Sequence, residues 1–208
     1  EMNAYFLQRI NHIRRHPKNH LLGQLVAVET EDGRLDDEEL LSFCRLLLIA
    51  GNETTTGLIT ASARIFHEEP QTLEQLRQNP ELSSAFVEEA LRYYSPFSAT
   101  VRRTTKEVEL AGQIIDAGEL VVPLIASANR DERVFDAPDT FMIERSPNPH
   151  LGMGFGIHFC LGAHLARLEG RVVVEQMAER YSQIALVKPE TATVGDLGGP
   201  KELAVTVS

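Results

Sequence analysis

The sequence predicts a mainly α-helical protein with a small β portion, and three observations carry that reading. Apolar residues recur at helical spacing over most of the stretch from Tyr5 to Tyr94. Between Thr100 and Ile125 the pattern changes to alternation and short apolar runs broken by Ala111-Gly112 and Asp116-Ala117-Gly118, which marks strands of a small sheet. Helical spacing then returns at Leu161, Leu165, Leu168 and Val172.

Composition bounds the function classes. A chain of 208 residues can bury one good-sized core. A net charge of −10 argues against a nucleic-acid partner. The longest clear apolar run, Leu46 to Ala50, falls far short of the ~20 residues that span a bilayer, so no membrane segment is expected. No signal peptide is read at the start, and a soluble, cytoplasmic protein is expected. The two cysteines, Cys44 and Cys160, lie 116 residues apart and neither belongs to a C-x-x-C pair. A disulfide scaffold or zinc site is therefore not expected, and Cys44 reads as packing in an apolar helical stretch.

Taken in order, Glu1 to Arg15 reads as a helix already under way, with Tyr5, Phe6, Ile10 and Ile13 on it. Residues 20–29 form a short second helix, and Glu31-Asp32-Gly33 turns the chain. A long helix follows from about Asp36 to His67, roughly 45 Å at ~1.5 Å per residue. Asp36 or Asp37 can cap it, with Glu38 and Glu39 in the favourable first turn. Its middle, Ala50-Gly51-Asn52-Glu53-Thr54-Thr55-Thr56-Gly57, works against the helix. Relative to alanine, those glycines and threonines cost roughly 3–4 kcal/mol of propensity. Such a local conflict often marks a function; the plainer alternative is that Glu53 faces solvent.

Pro70 and Asn79-Pro80 open two more helices, the second running to about Tyr94 and stopping before Pro96. It carries Glu89-x-x-Arg92, a pair sharing one helix face that, taken alone, reads as an exposed surface ion pair. Arg102 and Arg103 precede the sheet, whose strands fall at Val108 and Leu110, Ile114 and Ile115, and Leu120 to Ile125. Residues 126–150 form a loop-rich meander with Phe135 and Phe141. A helix after Cys160 ends near Ser182, Ile184 to Val187 form a strand, and Val194 to Val207 form a hairpin with its tip near Gly198-Gly199-Pro200.

The stretch from Met153 to Gly162 holds three glycines, His158 and Cys160 in ten residues. Glycines on both sides let backbone approach the sulfur, or whatever the sulfur binds. The helix start after Cys160 favours a thiolate, which serves as nucleophile or metal ligand. A lone cysteine as a small buried hydrophobe stands beside that reading. Gly152-x-Gly154-x-Gly156 is a weak dinucleotide-loop signal, because no β run leads into it and Pro147 and Pro149 precede it.

Gly154-x-Gly156-x-His158-x-Cys160-x-Gly162, followed by Leu165-Ala166-Arg167, resembles the haem-binding loop of the cytochrome P-450 family, the haem-thiolate monooxygenases. The resemblance implies the C-terminal part of the cytochrome P-450 fold, with Cys160 as the fifth ligand of haem iron (haem b). Met153 stands where the family usually has Phe, which leaves the sulfur differently shielded. Ala50-Gly51-x-Glu53-Thr54 is similar to the family's distal-helix motif. There Ala50 and Gly51 make room for dioxygen, and Glu53 and Thr54 are the acid and alcohol that deliver protons. The peroxide-using branch has Arg-Pro at that pair, so an oxygen-dependent monooxygenase is implied. Glu89 and Arg92 match the E-x-x-R motif, with Arg145 of the meander completing a structural triad. Arg102 and His158 occupy positions that pair with haem propionates.

By the same resemblance, the hairpin tip, Phe43, Leu46 and Leu47, and Pro96 to Val101 line a pocket for a small hydrophobic substrate. Electrons come from a ferredoxin- or flavodoxin-type donor, for which a basic patch near Arg167 and Arg171 offers a contact. The family's domain is roughly twice this long. Residues 1–208 are therefore expected to be the C-terminal portion of a single domain, stable with the missing N-terminal half, another chain or an oligomeric partner. The competing expectations are a catalytically inactive, haem-free binding or scaffold protein, and a cysteine hydrolase using Cys160 and His158.

Overall fold

The computed structural model describes residues 1–30, 33–187 and 203–208. The chain divides into two compact units, Glu1–Asn52 and Glu53–Ser208.

In the first unit, helix α1 (Met2–Arg15) buries Ile10 and Ile13 and packs on α2 (Leu21–Ala27). His20 caps α2, its Nδ1 accepting the Gly23 N–H at 3.1 Å. Strands β1 (Glu29–Thr30) and β2 (Gly33–Arg34) pair antiparallel; Glu31 and Asp32, the expected turn, lie outside the described residues. Helix α3 (Asp37–Glu68) then begins with a reciprocal cap. Asp36 Oδ1 accepts the Glu39 N–H at 2.8 Å, and Glu39 Oε2 accepts the Asp36 N–H at 2.9 Å. Asp36, of the two candidates, is thus the capping residue. The stretch Ala50–Gly57 is helical throughout despite its poor propensity. Cys44 is buried, and burial pushes its thiol pKa up.

The second unit holds the main core. It is built from α3 after residue 52, α4 (Gln71–Gln78), a 3-10 turn (Pro80–Leu82), α5 (Ser83–Tyr93) and α7 (Ala163–Arg180). Phe66 stacks on Phe86 at 5.0 Å, and Phe86 meets Phe141 edge-on at 5.4 Å. Around them lie Leu58, Ile65, Leu73, Leu76 and Val174, all essentially buried. Helix α7 approaches the core through small residues. At Gly170 an added Cβ would sit 2.7 Å from Leu58 Cδ2 and 3.3 Å from Val87 Cγ2. Arg77 closes its far end, donating to the carbonyls of Ala178 at 3.0 Å and Tyr181 at 2.6 Å.

The β portion is four separate two-stranded ladders among the described residues. Here the structure corrects the sequence reading twice. Arg102 and Arg103 do not precede the sheet; they are strand β3 (Arg102–Arg103), which pairs with β6 (Leu120–Val121). Nor is Leu120 to Ile125 one strand. Pro123 has no N–H to continue a ladder. Pairing shrinks to a lone Ala99–Leu124 bridge, and Ile125 opens the short helix α6 (Ile125–Ala128). Strands β4 (Val108–Leu110) and β5 (Gln113–Ile115) form the predicted hairpin, turning at Ala111 and Gly112, both with positive φ. Strand β7 (Ile184–Leu186) pairs with β8 (Val205–Val207). The expected tip near Gly198-Gly199-Pro200 lies outside the described residues.

Candidate functional site

Helix α5 is the anchor from which the cysteine loop is built. Glu89 and Arg92 are both fully buried and joined by two hydrogen bonds, Arg92 Nε to Oε2 at 2.8 Å and Arg92 Nη2 to Oε1 at 2.7 Å. Arg145 Nε reaches both oxygens of Glu89 at 3.0 and 3.1 Å. The Met142 N–H and Asn148 Nδ2 also donate to this carboxylate, at 3.0 and 3.1 Å. The remaining hydrogens of Arg92 go to the carbonyls of Asn129, Pro138 and Thr140 at 2.8–3.1 Å. One buried acid thereby organises the whole meander, and the exposed-pair reading of Glu89 and Arg92 does not hold.

From the meander the chain enters the loop at Leu151, whose N–H donates to the buried Asn129 side chain at 2.7 Å. Met153 is buried and its carbonyl accepts the Cys160 N–H at 2.8 Å, closing the loop. Gly154 (φ +74°) and Gly156 (φ +60°) take left-handed turns within it. A Cβ on Gly154 would lie 2.5 Å from the His158 carbonyl oxygen, whereas at Gly156 it would meet nothing within 4 Å. Gly162 is the N-cap of α7, and the Cys160 carbonyl accepts the Ala163 N–H at 3.2 Å.

Cys160 is exposed, unlike Cys44, so it is not a packed core hydrophobe. Apolar side chains flank it in the open: Phe155 is 82% exposed, Ile157 98% and Leu161 75%. A sulfur presented on a glycine loop with an uncovered apolar rim fits a flat, largely apolar metal macrocycle. His158 lies exposed in a 3-10 turn (Gly156–His158), and among the described residues no acid hydrogen-bonds to it to make a hydrolase pair with Cys160. Arg102 is exposed on β3 and donates to Thr100 Oγ1 and the Val101 carbonyl, both at 2.9 Å. Glu53 is exposed and Thr54 half-buried on α3; Ala50 and Gly51 are exposed on the same helix, in the first unit.

A second carboxylate network was not anticipated. Glu88 Oε1 accepts Arg167 Nε at 2.6 Å, and Glu88 Oε2 accepts Arg167 Nη2 at 2.9 Å. The same Oε2 lies 3.0 Å from Nε2 of the buried His150. Burial alone would raise the Glu88 pKa. The hydrogen bonds from His150 and Arg167 and the charge of Arg167 outweigh it and hold the carboxyl at about 2. Both arginines of the expected basic patch have acidic neighbours: Arg167 is paired with Glu88, and Arg171 lies 3.5 Å from Glu175. The only sequence signal for Glu88 was an acid beside Glu89, which usually means a solvated position.

Comparison with known proteins agrees with this architecture. A family model described as Cytochrome P450 matches residues 62–196. The putative cytochrome P450 YjiB of Bacillus subtilis is 43% identical over 187 residues, covering 90% of this chain and 47% of that protein. The structure of CYP109Q5 from Chondromyces apiculatus superposes with a TM-score of 0.94 at 40% identity, covering all of this chain and 54% of that one. CYP109E1 from Bacillus megaterium in complex with testosterone gives 0.90 at 38% identity, covering 98% and 57%. The chain spans about half the length of the curated relatives it matches.

Proposed function

Because the chain belongs to the cytochrome P450 family, we propose that it is the C-terminal portion of a single haem-thiolate monooxygenase domain. The domain acts on a small hydrophobic organic substrate. Bound haem b supplies the chemistry of dioxygen activation and transfer of one oxygen atom, with electrons from a ferredoxin- or flavodoxin-type donor. Cys160 holds the iron as a thiolate. Met153 shields its flank, and Gly154 and Gly162 keep the loop close and open. Arg102 and His158 hold the two propionates by charge-assisted hydrogen bonds. On α3, Ala50 and Gly51 leave space, while Glu53 draws protons from solvent and Thr54 passes them on. Glu89, Arg92 and Arg145 carry the loop and take no part in the chemistry.

The observation that carries this reading is the exposed Cys160 on a closed glycine loop, at the head of α7 and inside an uncovered apolar rim. A hydrophobic substrate is supported by the family relation to CYP109E1, a protein whose structure was solved with testosterone. No helix among the described residues is long and apolar enough to cross a membrane, and a cytoplasmic setting is part of the proposal. The test is the absorption spectrum of the reduced, carbon-monoxide-bound protein. A thiolate-type band is expected, and Cys160→Ala must abolish it. Retention of the band in that variant would refute the assignment.

A further inference from the structure

We propose that Glu88 is a positioning residue: one carboxylate clamps both ends of the cysteine loop, through His150 before it and Arg167 after it. The inference deepens the reading of Cys160 as a haem ligand. His150 lies ten residues before Cys160 and Arg167 seven after it, so the clamp brackets the entire loop. Arg167 is bound by both oxygens of Glu88, at 2.6 and 2.9 Å, a bidentate pair that fixes direction as well as distance.

His150 is held equally firmly. Its Nδ1 accepts the Gly152 N–H at 3.1 Å, so the proton sits on Nε2, which donates to Glu88 Oε2 at 3.0 Å. Gly152 permits this approach, because a Cβ there would lie 3.0 Å from the Leu91 carbonyl oxygen of α5 and 3.1 Å from His150 Nδ1. Beyond it, the Leu151 carbonyl accepts the Gly154 N–H at 2.9 Å and the Met153 carbonyl accepts the Cys160 N–H at 2.8 Å. A continuous run of hydrogen bonds and backbone therefore leads from Glu88 to the Cys160 amide on one side. On the other side Arg167 fixes the first turns of α7. Glu89 supports the loop from the meander, through Met142, Arg145 and Asn148; Glu88 grips the residues on either side of the loop.

The test reads the loop directly. Amide hydrogen exchange is followed in the full chain without haem, for the parent protein, Glu88→Gln, His150→Phe, Arg167→Gln and Arg167→Lys. In the first three variants the amides of Gly154, His158, Phe159 and Cys160 are expected to exchange roughly ten-fold faster, while those of Phe86 and Val174 in the core keep parental rates. Arg167→Lys, which keeps the charge but not the fork, should fall in between. If Glu88→Gln fails to fold, Arg167→Lys and His150→Phe decide the matter alone. Loop exchange unchanged from the parent would overturn the clamp, and so would equal acceleration in loop and core. With haem bound, the clamp variants should lose part of the thiolate-type carbon-monoxide band that the parent shows. A parent that never takes up haem would sink the haem reading and leave the exchange result standing. A parent with the band and an unaltered loop in every variant would sink the clamp alone.

Discussion

Glu89→Gln should be among the most damaging conservative substitutions in this chain. The carboxylate is fully buried and receives two hydrogen bonds from Arg92, two from Arg145, and one each from the Met142 amide and Asn148. The glutamine amide keeps the shape, loses the charge, and turns an NH2 group towards donors. Two guanidiniums, 0% and 6% exposed, would then be left without their counter-ion. Breaking a buried pair from one side costs about 3–5 kcal/mol, against about 5–15 kcal/mol for a whole domain. An apolar swap of both partners, often harmless at buried pairs, should fail here. Glu89→Leu with Arg92→Met also strips the donor from the carbonyls of Asn129, Pro138 and Thr140. The assay is urea unfolding followed by circular dichroism. Expected is a loss of about 4 kcal/mol for Glu89→Gln and no recovery in the double variant. A loss below about 1 kcal/mol in the single variant would show that the meander is held by something other than this acid.

Four further outcomes follow from the same geometry. Glu88 sits at about 2 when folded against an ordinary 4.5. Its contribution is therefore complete above pH 4.5 and is lost as pH falls from 4.5 towards 2. Its side chain is 33% exposed, so screening reduces the contribution to about 1 kcal/mol. Urea stability between those pH values should be flatter in Glu88→Gln by that amount. Gly154→Ala drives a Cβ to 2.5 Å from the His158 carbonyl oxygen at φ +74°; it should abolish the thiolate-type spectrum and lower stability by about 3 kcal/mol. Gly156→Ala, at φ +60° with open space around it, should cost only the about 1–2 kcal/mol of left-handed strain and retain the spectrum. Gly170→Ala meets Leu58 Cδ2 at 2.7 Å. Overpacking of about 1–3 kcal/mol, less about 1 kcal/mol of helix propensity, should leave it about 1 kcal/mol less stable by thermal melting, and Leu58→Ala should reverse the sign of that effect.

The helices were legible because their punctuation is chemical. Asp36 and Glu39 cap α3, Pro70 is the N-cap of α4, and Pro80 starts the turn into α5. The triad was legible because Glu89 and Arg92 stand three apart on one helix face and the loop resembled a known one. The partners that complete it were not. Asn129 reaches Ser95 across 34 residues and Leu151 across 22, and nothing local in a sequence encodes such pairings. Glu88 was hidden for a different reason. Neighbouring helix positions point about 100° apart, so two adjacent acids serve different structures, and a periodicity argument assigns one of them to solvent. The strand of Arg102 and Arg103 escaped notice because both residues are exposed and neither favours strands.

The most instructive difference lies on α7. Leu161, Leu165, Leu168 and Val172 announce the helix, and period alone suggests that they face the core. They are 46–75% exposed, while Ala163, Gly170, Val174 and Ala178 face inward. Periodicity reports that a helix has an apolar stripe; it does not report which stripe is covered. Small residues are what allow α7 to lie close against Leu58 and Val87, and that close approach holds the helix that carries Arg167 next to the one that carries Glu88. The stripe of large side chains is thereby left pointing away from the main core of the second unit. The same geometry that aims Cys160 outward also makes α7 two-sided, with small residues on the face towards the core and large apolar side chains on the exposed face.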